Sequence, residues 1–449
     1  METTLTREQK HPSRVLFEGV SLFPVVVFLY FFTLHADQLS LPLFGVTVRF
    51  NNLIAFLLLV VSLLSIRLSL IRLSKEMVWG GVAVLGSVTL SFLFSPYKGR
   101  CLVFLFWTAF TLGGYLFLPY LLVRYGDLQK IWSLYFLSFL GVGCYAALQF
   151  ALSIVGIREP FVTQDFLGSL VRTNAFAYEP SYYALYMTPF VMLINYVYLA
   201  DPNRSFFLFE RVSFPVVLTV NLLFLLSTAT SALFTYFPFL FLLIWTPGFS
   251  YLRGRLIRFF GFFLLGGVFL YVLFPAVLTQ FFLKFFFSGF MGHHSFFERW
   301  EGIENAWKIF CDHPLFGVGL GGVPSHLFSA WLDGSTRFHL PPDDLLAYKD
   351  CFNPLKFFEP MNVATELLAS LGIVGAGAFT TAFFFLFRLL KRSYSQDPIL
   401  LIGFLLSTLV SLFALQFNQG LLRTYIWVHF SLVFATGEKL LNPVDCRRC

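Results

Sequence analysis

Glu179 closes the stretch Arg172-Thr173-Asn174-Ala175-Phe176-Ala177-Tyr178-Glu179-Pro180-Ser181, and a long apolar run begins directly behind it. A carboxylate at the edge of an apolar span is costly to keep there, which makes it a functional candidate. Its chemistry would be that of a general base, taking the proton from an attacking hydroxyl. The plainer reading is a helix cap, with the carboxylate on free backbone amides. Glu366, one helical turn past Asn362, is a second candidate, because a helix there would turn it into an apolar bundle. Imidazoles also move protons. Five of the eight histidines (His293, His294, His313, His326 and His339) fall within 281–361. For His326 and His339 a proton-moving role competes with that of an ordinary loop histidine.

Other patterns carry less. Gly317-Val318-Gly319-Leu320-Gly321-Gly322 follows a helical stretch and a proline, whereas a dinucleotide fingerprint follows a strand and opens a helix. A phosphate-binding nest and a flexible turn both remain open for it. Cys311 and Cys351 share one side of the membrane, so a disulfide between them is one alternative and two free thiols the other. Cys446 and Cys449 have C-x-x-C spacing in a basic tail without a second pair, so a zinc site is not expected there.

The elements that must position these groups follow from composition. Of 449 residues, 57% are hydrophobic, 12% are charged and 62 are phenylalanine, with mean hydropathy +0.76. Soluble domains carry roughly 25% charged residues. A soluble enzyme, a disordered chain and a nucleic-acid-binding domain are therefore excluded. The chain reads as an all-α polytopic membrane bundle. Twelve apolar segments are predicted to span: 15–34, 51–66, 77–94, 102–123, 131–155, 178–199, 213–228, 233–247, 259–280, 362–387, 398–417 and 424–436. Between the seventh and eighth, Ser227 to Ser231 is either a tight turn or the middle of a kinked region. No A-x-A-like site follows the first run, so it is expected to be retained as a helix.

With both ends cytoplasmic, the inner segments hold 19 of the 31 lysines and arginines. The short outer loops hold six, and the long loop 281–361 the other six. Positive charge in short loops marks the cytoplasmic side, which supports this orientation. The chain then divides into helices 1–5 (1–155), helices 6–9 with the Arg172/Glu179 stretch (156–280), the long outer loop (281–361), and helices 10–12 with a tail (362–449). Within that loop Glu298–Phe310 is predicted to be an amphipathic helix. Trp300, Ile303, Trp307 and Phe310 recur at helical spacing, Glu304 and Lys308 pair four apart, and His313-Pro314 ends it.

Three stretches resemble one family. The Arg172 to Ser181 stretch is similar to the Arg…Phe…Glu-Pro-Ser signature of bacterial polysaccharide polymerases. Arg299, Trp300, Ala306 and Trp307 followed by Pro314 to Gly321 resemble the opening of the large periplasmic loop of the O-antigen ligase/polymerase superfamily. Asn362, nine residues, and Gly372-Ile373-Val374-Gly375 resemble its loop-closing motif. The likeness covers roughly 165 to 390. In the ligases a histidine precedes that asparagine; here Met361 does, which favours a polymerase.

The resemblance implies an inner-membrane glycosyltransferase working at the periplasmic face without metal or cofactor. Its donor would be an undecaprenyl-diphosphate-linked glycan and its acceptor a glycan hydroxyl. Arg172 and Arg299 would hold the diphosphate, since a planar guanidinium suits phosphate oxygens. Asn362 and His339 would lie at the substrate and Glu179 or Glu366 would be the base. A flippase and a chain-length regulator are candidate partners. Two rivals remain: a ligase moving the glycan to lipid A core or protein, and a glycan flippase. The second expects internal repeats and ionisable groups near the midplane, and neither is evident.

Overall fold

The computed structural model describes residues 22–43, 46–65, 73–167, 170–227, 229, 235–236, 253–273, 275, 279, 294–338, 362–417, 420 and 422–441. It is mostly helical, and six helices are long and apolar enough to cross a membrane. They are α3 (Lys75–Phe94), α4 running through a π turn into α5 (Lys98–Tyr125), α6 (Leu128–Ile154), α7 (Pro180–Ala200), α12 (Val363–Ser393) and α13 with its 3-10 end (Pro398–Phe417). Shorter or more charged helices are α1 (Phe23–Phe32), α2 (Phe50–Ser65), α8 (Phe214–Leu225), α9 (Arg253–Leu273), α10 (His294–Asp312), α11 (Val323–Leu332) and α14 (Thr424–Leu441). The six long helices fall on the predicted spans 77–94, 102–123, 131–155, 178–199, 362–387 and 398–417; the predicted spans 15–34, 51–66, 213–228, 259–280 and 424–436 each contain helix in their described residues, and most of 233–247 lies outside the described residues. Two small antiparallel hairpins complete the elements, β1–β2 (Ser40–Leu43, Val46–Arg49) and β3–β4 (Gln164–Leu167, Leu170–Arg172).

Local chemistry explains the helix starts. Ser74, Asp127, Asn362 and Asp397 each accept a backbone N–H three residues on, satisfying a donor that the first turn leaves open. α7 is the central helix, buried on nearly every side, and α13 lies along it. α12 lies along α3, α1 along α6, and α14 along α5. Outward-facing Trp79, Phe106, Leu264, Leu265 and Phe384 are exposed, an apolar coat that water would penalise and a bilayer would not.

The ion pairs sort the loops to two ends. Arg204 with Asp397, Arg392 with Glu76, and Arg124 with Glu438 join segments read as inner. Arg49 and Arg423, both on Asp37, join segments read as outer. No ion pair among them crosses from one end to the other.

The long loop folds in part into α10 and α11, which share a small core (Ala306, Ile309, Val318, Val323, Leu327, Phe338) with Ala369 of α12. α10 ends before His313-Pro314 as expected, and Lys308 pairs with Glu304 at 2.7 Å. Its tryptophans do not face this core. Trp300 and Trp307 are exposed, while Asn305, Ala306 and Ile309 are buried. The small Ala306 side chain lets α10 approach α12 closely, and the bulky indoles are left on the outside.

The glycine-rich segment is neither a nest nor a loose turn. Gly372 breaks α12, with φ at +64°. In an unbroken helix Ile373 and Val374 would donate to Ala369 and Ser370. Here Ile373 donates to Pro314 at 2.9 Å and Val374 to Leu315 at 3.3 Å. Ala369 and Ser370 in turn accept from Val318 and Gly319, both at 2.9 Å. Residues 314–319 are thus spliced into the gap and satisfy both sides of it, as a break in an apolar setting requires. Ser91 seals the join, its hydroxyl on the Phe316 and Ser370 carbonyls at 2.6 and 2.8 Å. The Gly317, Val318, Gly319 and Gly322 amides are thereby committed to backbone carbonyls, which leaves little of the segment to cradle a phosphate.

Candidate functional site

The outer ends of α7, α12, α13 and α14 bring most of the predicted residues to one end of the bundle. Gly403, early in α13, packs on Tyr196, late in α7, so the two helices run antiparallel. Equal rise per residue then sets Gln416 level with Tyr183. The Gln416 carbonyl accepts the Asn362 amide at 3.0 Å, tying the start of α12 to this level. Asn362 also caps α12, its oxygen accepting from Thr365 N–H at 3.0 Å. Both halves of its amide are therefore engaged within the protein.

Glu366 lies one turn along α12, half-buried, with its Oε2 atom enclosed. Arg299, also half-buried, is on α10. Ile309 and Ala369 meet in the small core, and both helices run toward the splice. Equal rise sets Gly302 level with Asn362 and Arg299 just beyond it. Arg299 thus belongs to this end of the bundle, on the α10 side. His339, His293, Met361 and Cys351 lie outside the described residues. Cys311 is a free, exposed thiol. Among the described residues no group of three or more His, Cys, Asp or Glu could hold a metal.

Glu179 occupies the N-cap position of α7 yet makes no side-chain cap bond. Its carboxylate accepts from the Ser181 hydroxyl at 3.1 Å and is exposed. Two arginines feel its charge, Arg172 and Arg423. Arg172 ends β4, and its guanidinium donates to Gln164 Oε1 across the hairpin at 2.7 Å. Burial pulls its pKa below the usual arginine value, and Glu179 opposes that pull.

Arg423, just before α14, was not anticipated. Its guanidinium carbon lies 3.5 Å from the centre of the Tyr182 ring, and Nη1 is 3.1 Å from Asp37. Burial works to lower its pKa, but Tyr182, Asp37, Tyr425 and Glu179 together raise it. Asp37 also holds Arg49 at 3.0 Å. The strip carrying Asp37 is latched to the Arg172–Glu179 stretch by Gln38, whose side chain donates to Phe161 and Ala177 carbonyls at 2.9 and 2.7 Å. One signal could have found these residues. Arg49 and Arg423 are two of the six basic residues in short outer loops, where the positive-inside bias makes arginine uncommon.

An exposed carboxylate at the boundary of an apolar bundle, on the same stretch as Arg172 and three residues before the Tyr182 on which Arg423 stacks, can accept a proton. No family model matches this chain, and no curated protein matches it.

Proposed function

We propose that the chain is an inverting glycosyltransferase that joins undecaprenyl-diphosphate-linked oligosaccharide repeats into a polymer. It would work on the periplasmic face of a bacterial inner membrane, through a bundle of twelve spans. The observation that carries this reading is Glu179, an exposed carboxylate that leaves the cap of α7 unmade, with Arg172 in the same stretch and Arg423 stacked on the Tyr182 ring three residues on. The splice of the long loop into α12 supports it, since it fixes Arg299 and Glu366 at the same end.

In this reading a hydroxyl oxygen of the acceptor repeat attacks the anomeric carbon of the donor glycan. The bond from that carbon to the diphosphate oxygen breaks, and the lipid diphosphate leaves with the electron pair. Glu179 takes the hydroxyl proton. The arginines hold the departing phosphate oxygens by charge-assisted hydrogen bonds. Substitution from the face opposite the leaving group inverts the anomeric centre. Met361, where the ligases have histidine, favours polymerisation over transfer to lipid A core.

The test is purified protein in nanodiscs with a defined lipid-linked repeat. A ladder of lipid-linked oligomers is expected, lost with Arg172→Ala. No elongation, with transfer only to a lipid A core acceptor, would establish a ligase in place of the polymerase.

A further inference from the structure

Gln149 lies on α6 near the end read as outer, and it is fully buried. Both ends of its amide go to one residue. Nε2 donates to the Ala175 carbonyl at 3.0 Å, and Oε1 accepts the Ala175 N–H at 2.9 Å. Ala175 stands between Arg172 and Glu179 and has φ +48°, left-handed backbone that an alanine seldom adopts. Such a conformation persists only where its surroundings over-determine it, and it concentrates at functional sites.

Behind the amide stands Glu159. Its Oε2 accepts from Gln149 Nε2 at 2.7 Å and from the Phe161 N–H at 3.1 Å, and its Oε1 accepts from the Tyr145 hydroxyl at 2.6 Å. Two further ties on the stretch lead back to the same place. Gln38 and Asn174 each donate to the Phe161 carbonyl at 2.9 Å, and both also donate to the Ala177 carbonyl. The Phe176 ring lies on the Tyr145 ring, with 4.2 Å between centres and 10° between planes. The Gln149 amide is thus engaged at both ends, in a helix where an unmet polar group would be costly. An apolar side chain would serve α6 as well, so the amide serves the stretch that it holds.

We propose that Gln149, braced by Glu159, is a positioning residue of the Glu179 site. It keeps Ala175 in its left-handed turn and so fixes where the carboxylate stands at the start of α7. This rests on the reading of Glu179 as the base. Glycine at 175 would make the turn unaided but leave it free to open, whereas alanine under this clamp is held in one conformation.

The test compares wild type, Gln149→Leu, Gln149→Leu/Ala175→Gly and Ser153→Ala in nanodiscs. Two quantities are read: turnover on the lipid-linked repeat per folded molecule, and amide hydrogen exchange over 172–179 by mass spectrometry. Gln149→Leu keeps the bulk and loses both bonds to Ala175. Its exchange should quicken about 2- to 10-fold, the worth of a hydrogen bond. Its turnover should fall about 10- to 100-fold, as a displacement of about 1 Å does at a reacting centre. Adding Ala175→Gly, to which the left-handed turn comes freely, should raise turnover about fivefold above that of Gln149→Leu. Ser153→Ala, one turn along the same face of α6 and bonded only to the Phe150 carbonyl of its own helix, should leave both quantities as in wild type.

Wild-type turnover in Gln149→Leu overturns the inference and leaves the polymerase reading standing. Unchanged exchange overturns it as well, since the amide would then hold nothing. So does a double variant no faster than Gln149→Leu, which would mean that the turn at Ala175 is not what the amide sets. Absence of oligomers from wild type overturns the donor reading, and the positioning role with it. Should Gln149→Leu not fold, Gln149→Asn, too short to reach both Ala175 atoms, takes its place under the same criteria.

Discussion

The Ile373 N–H donates to the Pro314 carbonyl at 2.9 Å, a backbone bond that joins the outer loop to the interior of a membrane helix. It exists because Gly372 turns the chain to φ +64°, where a side chain is strained, and because the space beside it is filled by Leu315 backbone. A Cβ at Gly372 would meet the Leu315 carbonyl, and one at Gly317 the Ser370 carbonyl. Gly372→Ala should therefore cost about 1–3 kcal/mol from backbone conformation alone, with the displaced splice adding to it. Gly377→Ala, on an exposed turn of the same helix with open space around it, should be neutral or gain about 0.5–1 kcal/mol. Melting of the detergent-purified variants separates the two. Equal melting temperatures would mean that the splice carries no stability.

Orientation gives a second prediction. Ser325 at the start of α11 is expected outside the cytoplasm, because the basic-residue bias places 281–361 there. Ser325→Cys, with Cys311 and Cys351 replaced, should react with an impermeant maleimide in intact spheroplasts. Asn203→Cys, in the loop that pairs through Arg204 with Asp397, should react only after lysis. The reverse pattern would turn the molecule over and take the proposed face of action with it.

The helices were legible because long apolar runs admit little else, and capping residues such as Asp127 and Asp397 mark their starts. The break at Gly372 was not: a glycine inside an apolar run reads as continuing helix, and its cause lies in residues 314–319, far away in sequence. Arg172 and Glu179 were legible because they share one stretch with a boundary carboxylate. Asp37, Arg49 and Arg423 come from two loops separated by most of the chain, and only folding gathers them on Tyr182 and Asp37. The face by which α10 packs on α12 was not legible, because aromatic spacing marks the bulkiest stripe while close packing selects the small Ala306.

The outer subdomain should lose stability in mild acid. His326 Nδ1 lies 3.3 Å from the Tyr97 hydroxyl, with the His313 ring 5.5 Å away. Burial lowers the His326 pKa, His313 and Arg337 lower it further, and Asp312 partly opposes them. The unfolded chain then takes up the proton more readily than the folded one, so stability falls as pH drops below about 6.5, the unperturbed histidine value. Above that pH both states are neutral and the term vanishes. Melting measured at pH 7.5 and 5.5 should show a drop for wild type that His326→Gln reduces. An unchanged drop in His326→Gln would assign the pH response to other groups.

The last prediction separates the two carboxylates. If Glu179 is the base, Glu179→Gln keeps its size and its bond with Ser181 but cannot take a proton. A positioned general base contributes roughly 10²–10⁴-fold, so turnover per folded molecule should fall by that factor. Stability should barely change, because the carboxylate makes no cap bond to α7 and its loss leaves no backbone donor newly open. Met361→Ala should keep most activity, since methionine moves no proton. Glu366→Gln is the decisive companion: Glu366 sits in the first turn of α12 with one oxygen enclosed, and its loss should cost protein yield more than rate. Turnover on lipid-linked repeats, normalised to folded protein, is measured for all three. An active Glu179→Gln beside a dead Glu366→Gln would move the base from the start of α7 to the start of α12, and Arg172 would then bind the donor away from the proton acceptor.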